Sequence, residues 1–182
     1  MYHGVSNTFN PQYDKSAAAA LLEKHGITKP FILFVGKGGI YKNLDFLRMT
    51  FDKWDKKDLY QLVILPFVSE SDLKLFYCAA KAFVFPSLDE GFGMPILESL
   101  SCGTRVLASD IPVFREIGQN MPIFFNPKDS TSLIRALDAV HNLPALTTAE
   151  KESNRQKIQE KFSWKKCVDQ TVAIYRSLDK TI

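Results

Sequence analysis

Two carboxylates and two lysines carry the chemical interest of this 182-residue sequence. Glu90 and Glu98 stand eight positions apart in Pro86-Ser-Leu-Asp-Glu-Gly-Phe-Gly-Met-Pro-Ile-Leu-Glu98. Glu90 is followed by Gly91 and Gly93, glycines that clear space for a ligand. Glu98 falls one turn into the short helix that Pro95 is expected to open. A carboxylate at that place accepts both hydroxyls of a ribose or sugar diol, and free N–H groups at the helix start hold a pyrophosphate. The plainer alternative is a helix-start glutamate stabilised by the helix dipole beside an ordinary surface loop. Lys37 and Lys42 share the loop Gly36-Lys-Gly-Gly-Ile-Tyr-Lys42. Gly36, Gly38 and Gly39 let backbone approach a ligand closely, and lysines beside a helix start offer positive charge to a phosphate. No Gly-Lys-Ser/Thr follows, so this is not a Walker A loop, and Tyr41 occupies the sixth position of G-x-G-x-x-G. Taken alone, the loop reads as a glycine turn with solvated lysines.

The elements that must position these residues follow from the apolar pattern. Phe31 to Val35, Leu62 to Leu65 and Ala82 to Phe85 are short apolar runs, with Val106 to Ala108 and Ile123 to Phe125 after them. Such runs suit strands buried on both faces of a parallel sheet. Helical stretches lie between them: Asp14 to His25 closing on Gly26, Asn43 to Trp54, a helix capped by Ser69, and Pro95 to Cys102 with Gly103 past its end. Three helices, about 130–141, 147–161 and 163–178, finish the chain. Alternating strands and helices imply an α/β, Rossmann-like parallel sheet flanked by helices, with ligands beyond the carboxyl ends of the strands.

Composition removes several classes. Hydrophobic residues make up 46% and charged residues 24%, which excludes a disordered tail, a collagen-like fibre and a disulfide miniprotein. The net charge of +3 gives no reason to expect nucleic acid as a partner. Cys78, Cys102 and Cys167 are odd in number and form no C-x-x-C pair, so reduced and mostly buried thiols are expected. His3, His25 and His141 have no ligand spacing. No apolar stretch reaches the ~20 residues of a membrane-spanning helix, and the N-terminus lacks a signal-peptide layout, so a cytoplasmic chain is expected.

The segment 86–110, PSLDEGFGMPILESLSCGTRVLASD, resembles the hallmark of the group 1 (family 4) retaining glycosyltransferases, which include sucrose-phosphate, glycogen and mannosyl transferases. That hallmark is E-x7-E within P-S-x-x-E-G-F-G-x-P-x-L-E-x-x-x-x-G. Phe34-Val-Gly36 with Lys37 and Lys42 is similar to the family's phosphate loop, V-G-R-x-x-x-x-K. Leu65-Pro-Phe-Val68 with Ser69 and Leu73 resembles another of its segments. Ile117-Gly118, Asn126-Pro127 and Phe162-Ser-Trp164 sit where it shows similar motifs, and His3-Gly-Val5 with Phe9 looks like its interdomain linker.

The resemblance implies the C-terminal, donor-binding half of a GT-B enzyme, with residues 1–13 a linker remnant and 14–182 the nucleotide-sugar domain. It implies that Glu98 holds the ribose and Glu90 the transferred sugar. Gly36, Gly38, Gly91, Phe92, Gly93, Met94 and Pro95 would contact donor sugar and phosphates, and Lys37 and Lys42 would neutralise the leaving diphosphate. Glu90, Lys42 and Lys37 are thereby expected at the catalytic centre. No cofactor or metal is expected. The expected partners are a nucleotide sugar and a separate acceptor-binding domain or chain, with the protein cytoplasmic or peripheral at the inner face of a membrane.

Three departures from the pattern stand out. The resemblance implies an acceptor domain that this chain is not expected to supply, which leaves a catalytically inactive nucleotide-sugar binding module as the alternative. The 42–90 segment is shorter than the family's by roughly one strand-helix unit, ~30 residues, so a sheet lacking that unit is expected. Lys37 stands in place of arginine, a point charge for a forked donor. A dinucleotide-binding oxidoreductase fits poorly, because Glu90 and Glu98 would have no role. In the last helix, Trp164, Val168, Val172, Tyr175 and Leu178 form an apolar stripe. The plainer expectation is that it packs on its own domain; the GT-B resemblance instead implies an exposed patch.

Overall fold

Strands rich in apolar residues settle into one all-parallel sheet in the computed structural model, which describes residues 2–179. The elements are α1 (Lys15–Lys24), β1 (Phe31–Val35), α2 (Leu44–Lys53), β2 (Gln61–Leu65), α3 (Glu70–Ala79), β3 (Ala82–Phe85), α4 (Met94–Ser101) and β4 (Val106–Ser109). They continue as α5 (Pro112–Gly118), β5 (Ile123–Phe125), α6 (Ser130–Asn142), α7 (Thr148–Lys161) and α8 (Trp164–Asp179). The strand order is β2-β1-β3-β4-β5.

Alternate residues of each strand serve opposite faces. Ile32, Phe34, Ala82, Val84 and Leu107 meet Leu47, Phe51 and Trp54 of α2 and Leu133 and Leu137 of α6. Phe31, Leu33, Phe83, Phe85, Val106 and Ala108 meet Phe76 and Tyr77 of α3, Ile96, Leu97 and Leu100 of α4, Phe114 of α5 and Ile158 of α7. Burial on both faces explains why these strands are continuous apolar runs rather than alternating ones. The helix starts obey local chemistry: Asp14 accepts from the Ser16 and Ala17 N–H groups, and Ser69 from that of Asp72. Thr147 and Glu150 form a capping box on α7.

Helix α5 is absent from the sequence-based reading. Its seven residues are too few to show a periodic stripe, although Pro112 in its first turn is a start signal. The short 42–90 segment folds as α2, β2, α3 and β3. Strand β2 pairs with β1 along its length and forms the sheet edge. Among the described residues no strand lies outside it, and β1 and β3 still pair directly. The segment's brevity therefore leaves the centre of the sheet closed.

Residues 2–13, expected as a linker, are packed on the body. Val5 and Phe9 are buried in the core, and the Val5 N–H donates to the Phe162 carbonyl at 2.8 Å. The stripe on α8 corrects the plainer expectation, because it is not packed on its own domain. Trp164, Val168, Tyr175 and Leu178 are 53–67% exposed, and Val172 and Ile174 are also open to solvent. The helix meets the body near its first turn, where Gly4 lies so close to Trp164 that a Cβ has no room. Cys78 and Cys102 are buried, Cys167 is half-buried, and all three are free thiols. Among the described residues no helix is long and apolar enough to cross a membrane.

Candidate functional site

The chain leaves β1 toward β2 on one side and leaves β3 toward β4 and β5 on the other, so the loops after β1 and β3 diverge at the point where strand order reverses. In parallel α/β sheets that crevice is where ligands bind. Both loops singled out in the sequence lie there.

The loop after β1 begins with the Gly36 N–H donating to the Leu65 carbonyl at 2.8 Å. Gly38 and Gly39 take φ of 81° and 111°, backbone that side-chain-bearing residues rarely adopt. A 3-10 turn over Ile40–Lys42 follows, then Asn43 at φ 55° before α2. Asn43 Nδ2 donates to the Pro127 carbonyl at 2.8 Å, which ties this loop to the one after β5. The Leu88 N–H donates to the Tyr41 carbonyl at 2.8 Å, which ties it to the loop after β3.

Across that junction Lys42 Nζ stands 2.6 Å from Glu90 Oε1. The ammonium also sits 4.9 Å from the centroid of the Phe85 ring, whose face attracts cations. Lys37 is exposed; with Gly38, Gly39, Asn43, Arg48 and Leu88 it lines a cleft of about 580 Å³.

The loop after β3 turns into α4 at Gly93, with φ 101°. A Cβ there would stand 2.9 Å from Phe114 Cε1 and 3.0 Å from Ile117 Cδ1 of α5. No side chain caps α4, and Pro95 lies in its first turn. Pro95 carries no N–H and the Ile96 N–H donates to the Gly93 carbonyl at 3.0 Å, so the helix start offers the positive end of its dipole rather than a row of free N–H groups. Gly91 and Phe92 line a second hollow of about 340 Å³ with Tyr2, Val113, Glu116 and Ile117. Met94 and Pro95 are half-buried beside it in sequence.

Glu98 lies further along α4, against α3. The Tyr77 hydroxyl donates to its Oε2 at 3.4 Å. Burial pushes its carboxyl up to about 7, the Tyr77 hydroxyl opposes this, and the charge of Glu70 adds to it. The structure thus brings Lys42 and Glu90 into contact, sets Lys37 on the adjoining cleft, and seats Glu98 in the α3–α4 seam. Asn43 and Tyr77 are the residues that sequence reasoning passed over. Tyr77 lies on the buried face of α3, where a hydroxyl requires a partner, and that was the available signal. Among the described residues no group of three or more His, Cys, Asp or Glu is arranged to hold a metal ion.

Residues 60–161, spanning β2 to the end of α7 and containing both glutamates, match the family model for glycosyl transferases group 1. The chain belongs to the group 1 glycosyl transferases. It is 34% identical over 139 residues to O-antigen chain mannosyltransferase B of Escherichia coli, covering 69% of this chain and 35% of that protein. The chain spans about a third or less of the length of the curated relatives compared with it. Among solved structures, sucrose-phosphate synthase from Thermosynechococcus elongatus superimposes with a TM-score of 0.81 at 20% identity, covering 99% of this chain and 52% of that one. The C-terminal domain of a group 1 glycosyl transferase from Francisella tularensis superimposes with a TM-score of 0.68 at 16% identity, covering 86% of this chain and 97% of that domain. At these identities the structural likeness speaks for the fold, the parallel α/β half of a GT-B glycosyltransferase.

Proposed function

We propose that this group 1 glycosyl transferase chain is a donor-binding domain that holds a UDP- or GDP-hexose for retaining transfer to a glycan or lipid-linked acceptor. The acceptor would engage residues outside this chain. The observation that carries the reading is the Lys42–Glu90 contact at the β1/β3 crevice, a cation and a carboxylate side by side beyond the strand ends. Lys42 and Lys37 meet the diphosphate, with the uncapped start of α4 adding partial positive charge. As the bond between the anomeric carbon and the phosphate oxygen breaks, charge grows on an oxygen already facing these cations. Glu90 accepts from hydroxyls of the transferred sugar, and Glu98 accepts from the ribose diol. Gly36, Gly38 and Gly91 to Pro95 supply close backbone to phosphates and sugar. No resident metal is needed for this division of labour. The mannosyltransferase relatives favour a mannose-like hexose.

Calorimetric titration with UDP, GDP, ADP and their common hexose derivatives tests this. One nucleotide should bind saturably, and Glu98→Ala should weaken it about ten- to a hundredfold, the loss of a charge-assisted hydrogen-bond pair. Equal affinity of the variant and the native chain would remove Glu98 from the site.

A further inference from the structure

Lys42 and Glu90 have opposite duties in the donor site proposed above, yet without a ligand they are each other's partner. We propose that this ion pair makes the site discriminate between a nucleotide sugar and the bare nucleoside diphosphate, because only the sugar-bearing ligand offers Glu90 a replacement partner. The inference rests on the donor-site reading and deepens it.

The pair is close, 2.6 Å from Nζ to Oε1, and its side chains are only 33% and 18% exposed. The Phe85 ring, itself fully buried, covers one side of the ammonium. The Leu88–Tyr41 main-chain bond holds the two loops together, so the carboxylate cannot move far from the lysine by loop motion alone. A diphosphate that takes Lys42 must therefore bring its own negative oxygens beside Glu90, two anions competing for one cation in a partly desolvated place. With a hexose attached, the sugar hydroxyls donate to Glu90, and the carboxylate keeps a full set of partners while Lys42 turns to the phosphates. A bare diphosphate supplies no such donors. After transfer, re-pairing of Glu90 with Lys42 opposes the diphosphate left behind and speeds its release.

The signature is a pair of opposite signs. Glu90→Gln keeps the shape and removes the charge. In the 182-residue chain it should bind the accepted nucleoside diphosphate, UDP or GDP, roughly three- to tenfold more tightly. It should bind the matching UDP-glucose or GDP-mannose more weakly by a similar factor. Glu90→Ser, compared by the same calorimetry and by thermal melting, covers the case in which the glutamine variant misfolds. Weaker or unchanged binding of the bare diphosphate, while Glu98→Ala still weakens binding about ten- to a hundredfold, would overturn the discrimination alone. Failure of the native chain to bind either nucleotide, or indifference to Glu98→Ala, would overturn the donor-site reading and this inference with it.

Discussion

At the scale of single residues, Glu98 holds a conflict between stability and binding. Its carboxyl is raised from 4.5 to about 7, chiefly by burial. Between those two pH values the folded chain keeps a proton that the unfolded chain has already released. The stability this group contributes is thus full below pH 4.5 and is lost as pH rises to 7. Glu98→Gln removes the titration. The variant should melt with the native chain near pH 4.5 and be more stable at pH 8 by about 3 kcal/mol. A gap that does not change with pH would show that Glu98 does not titrate in this range. Accepting two ribose hydroxyls needs the ionised form, so nucleotide affinity should rise across the same interval in which stability falls.

At the scale of elements, the turn between β3 and α4 is fixed by its backbone and by the helix behind it. Gly93 takes a backbone angle closed to other residues, and α5 fills the space where its side chain would be. Gly93→Ala meets both obstacles at once and should cost about 1–3 kcal/mol in denaturant unfolding. It should also displace Gly91 and Phe92 and weaken nucleotide binding. A variant that is as stable as the native chain would mean that α5 yields freely. The loop after β1 is braced differently, through Asn43 to the loop after β5 and through Tyr41 to the loop after β3. Three separate strand-to-helix connections thereby share one rim.

At the scale of the whole molecule, the apolar face of α8 is the feature its own core does not explain. Val168 and Tyr175 are 55% and 67% exposed, so neither adds packing within the domain. Val168→Lys combined with Tyr175→Lys should change unfolding free energy by no more than about 0.5 kcal/mol. It should lower binding of a hydrophobic dye and raise solubility. A clear loss of stability would mean that these side chains pack on the body after all. The N-terminal segment behaves in the opposite way: Val5 and Phe9 sit in the core, and residues 2–13 belong to the folded unit.

The strands, most of the helices and the residues of both loops are legible along the chain. Those features are local: an unbroken apolar run such as Phe31–Val35, a cap such as Ser69, a glycine before a proline-opened helix. The motif-bearing loops were legible for the same reason, since their glycines and charges are contiguous in the chain. Which groups meet is set by packing and strand order. Lys42 and Glu90 are 48 positions apart, and their contact depends on β1 lying next to β3 rather than β2 alone. Tyr77 reaches Glu98 because α3 and α4 share one face of the sheet, a packing outcome that no spacing reports. The raised carboxyl of Glu98 depends on burial contributed by two helices, and the exposure of α8 depends on what the body leaves uncovered. Pattern along a chain encodes which face of an element is apolar; the identity of the partner facing it arises only when the sheet order is set.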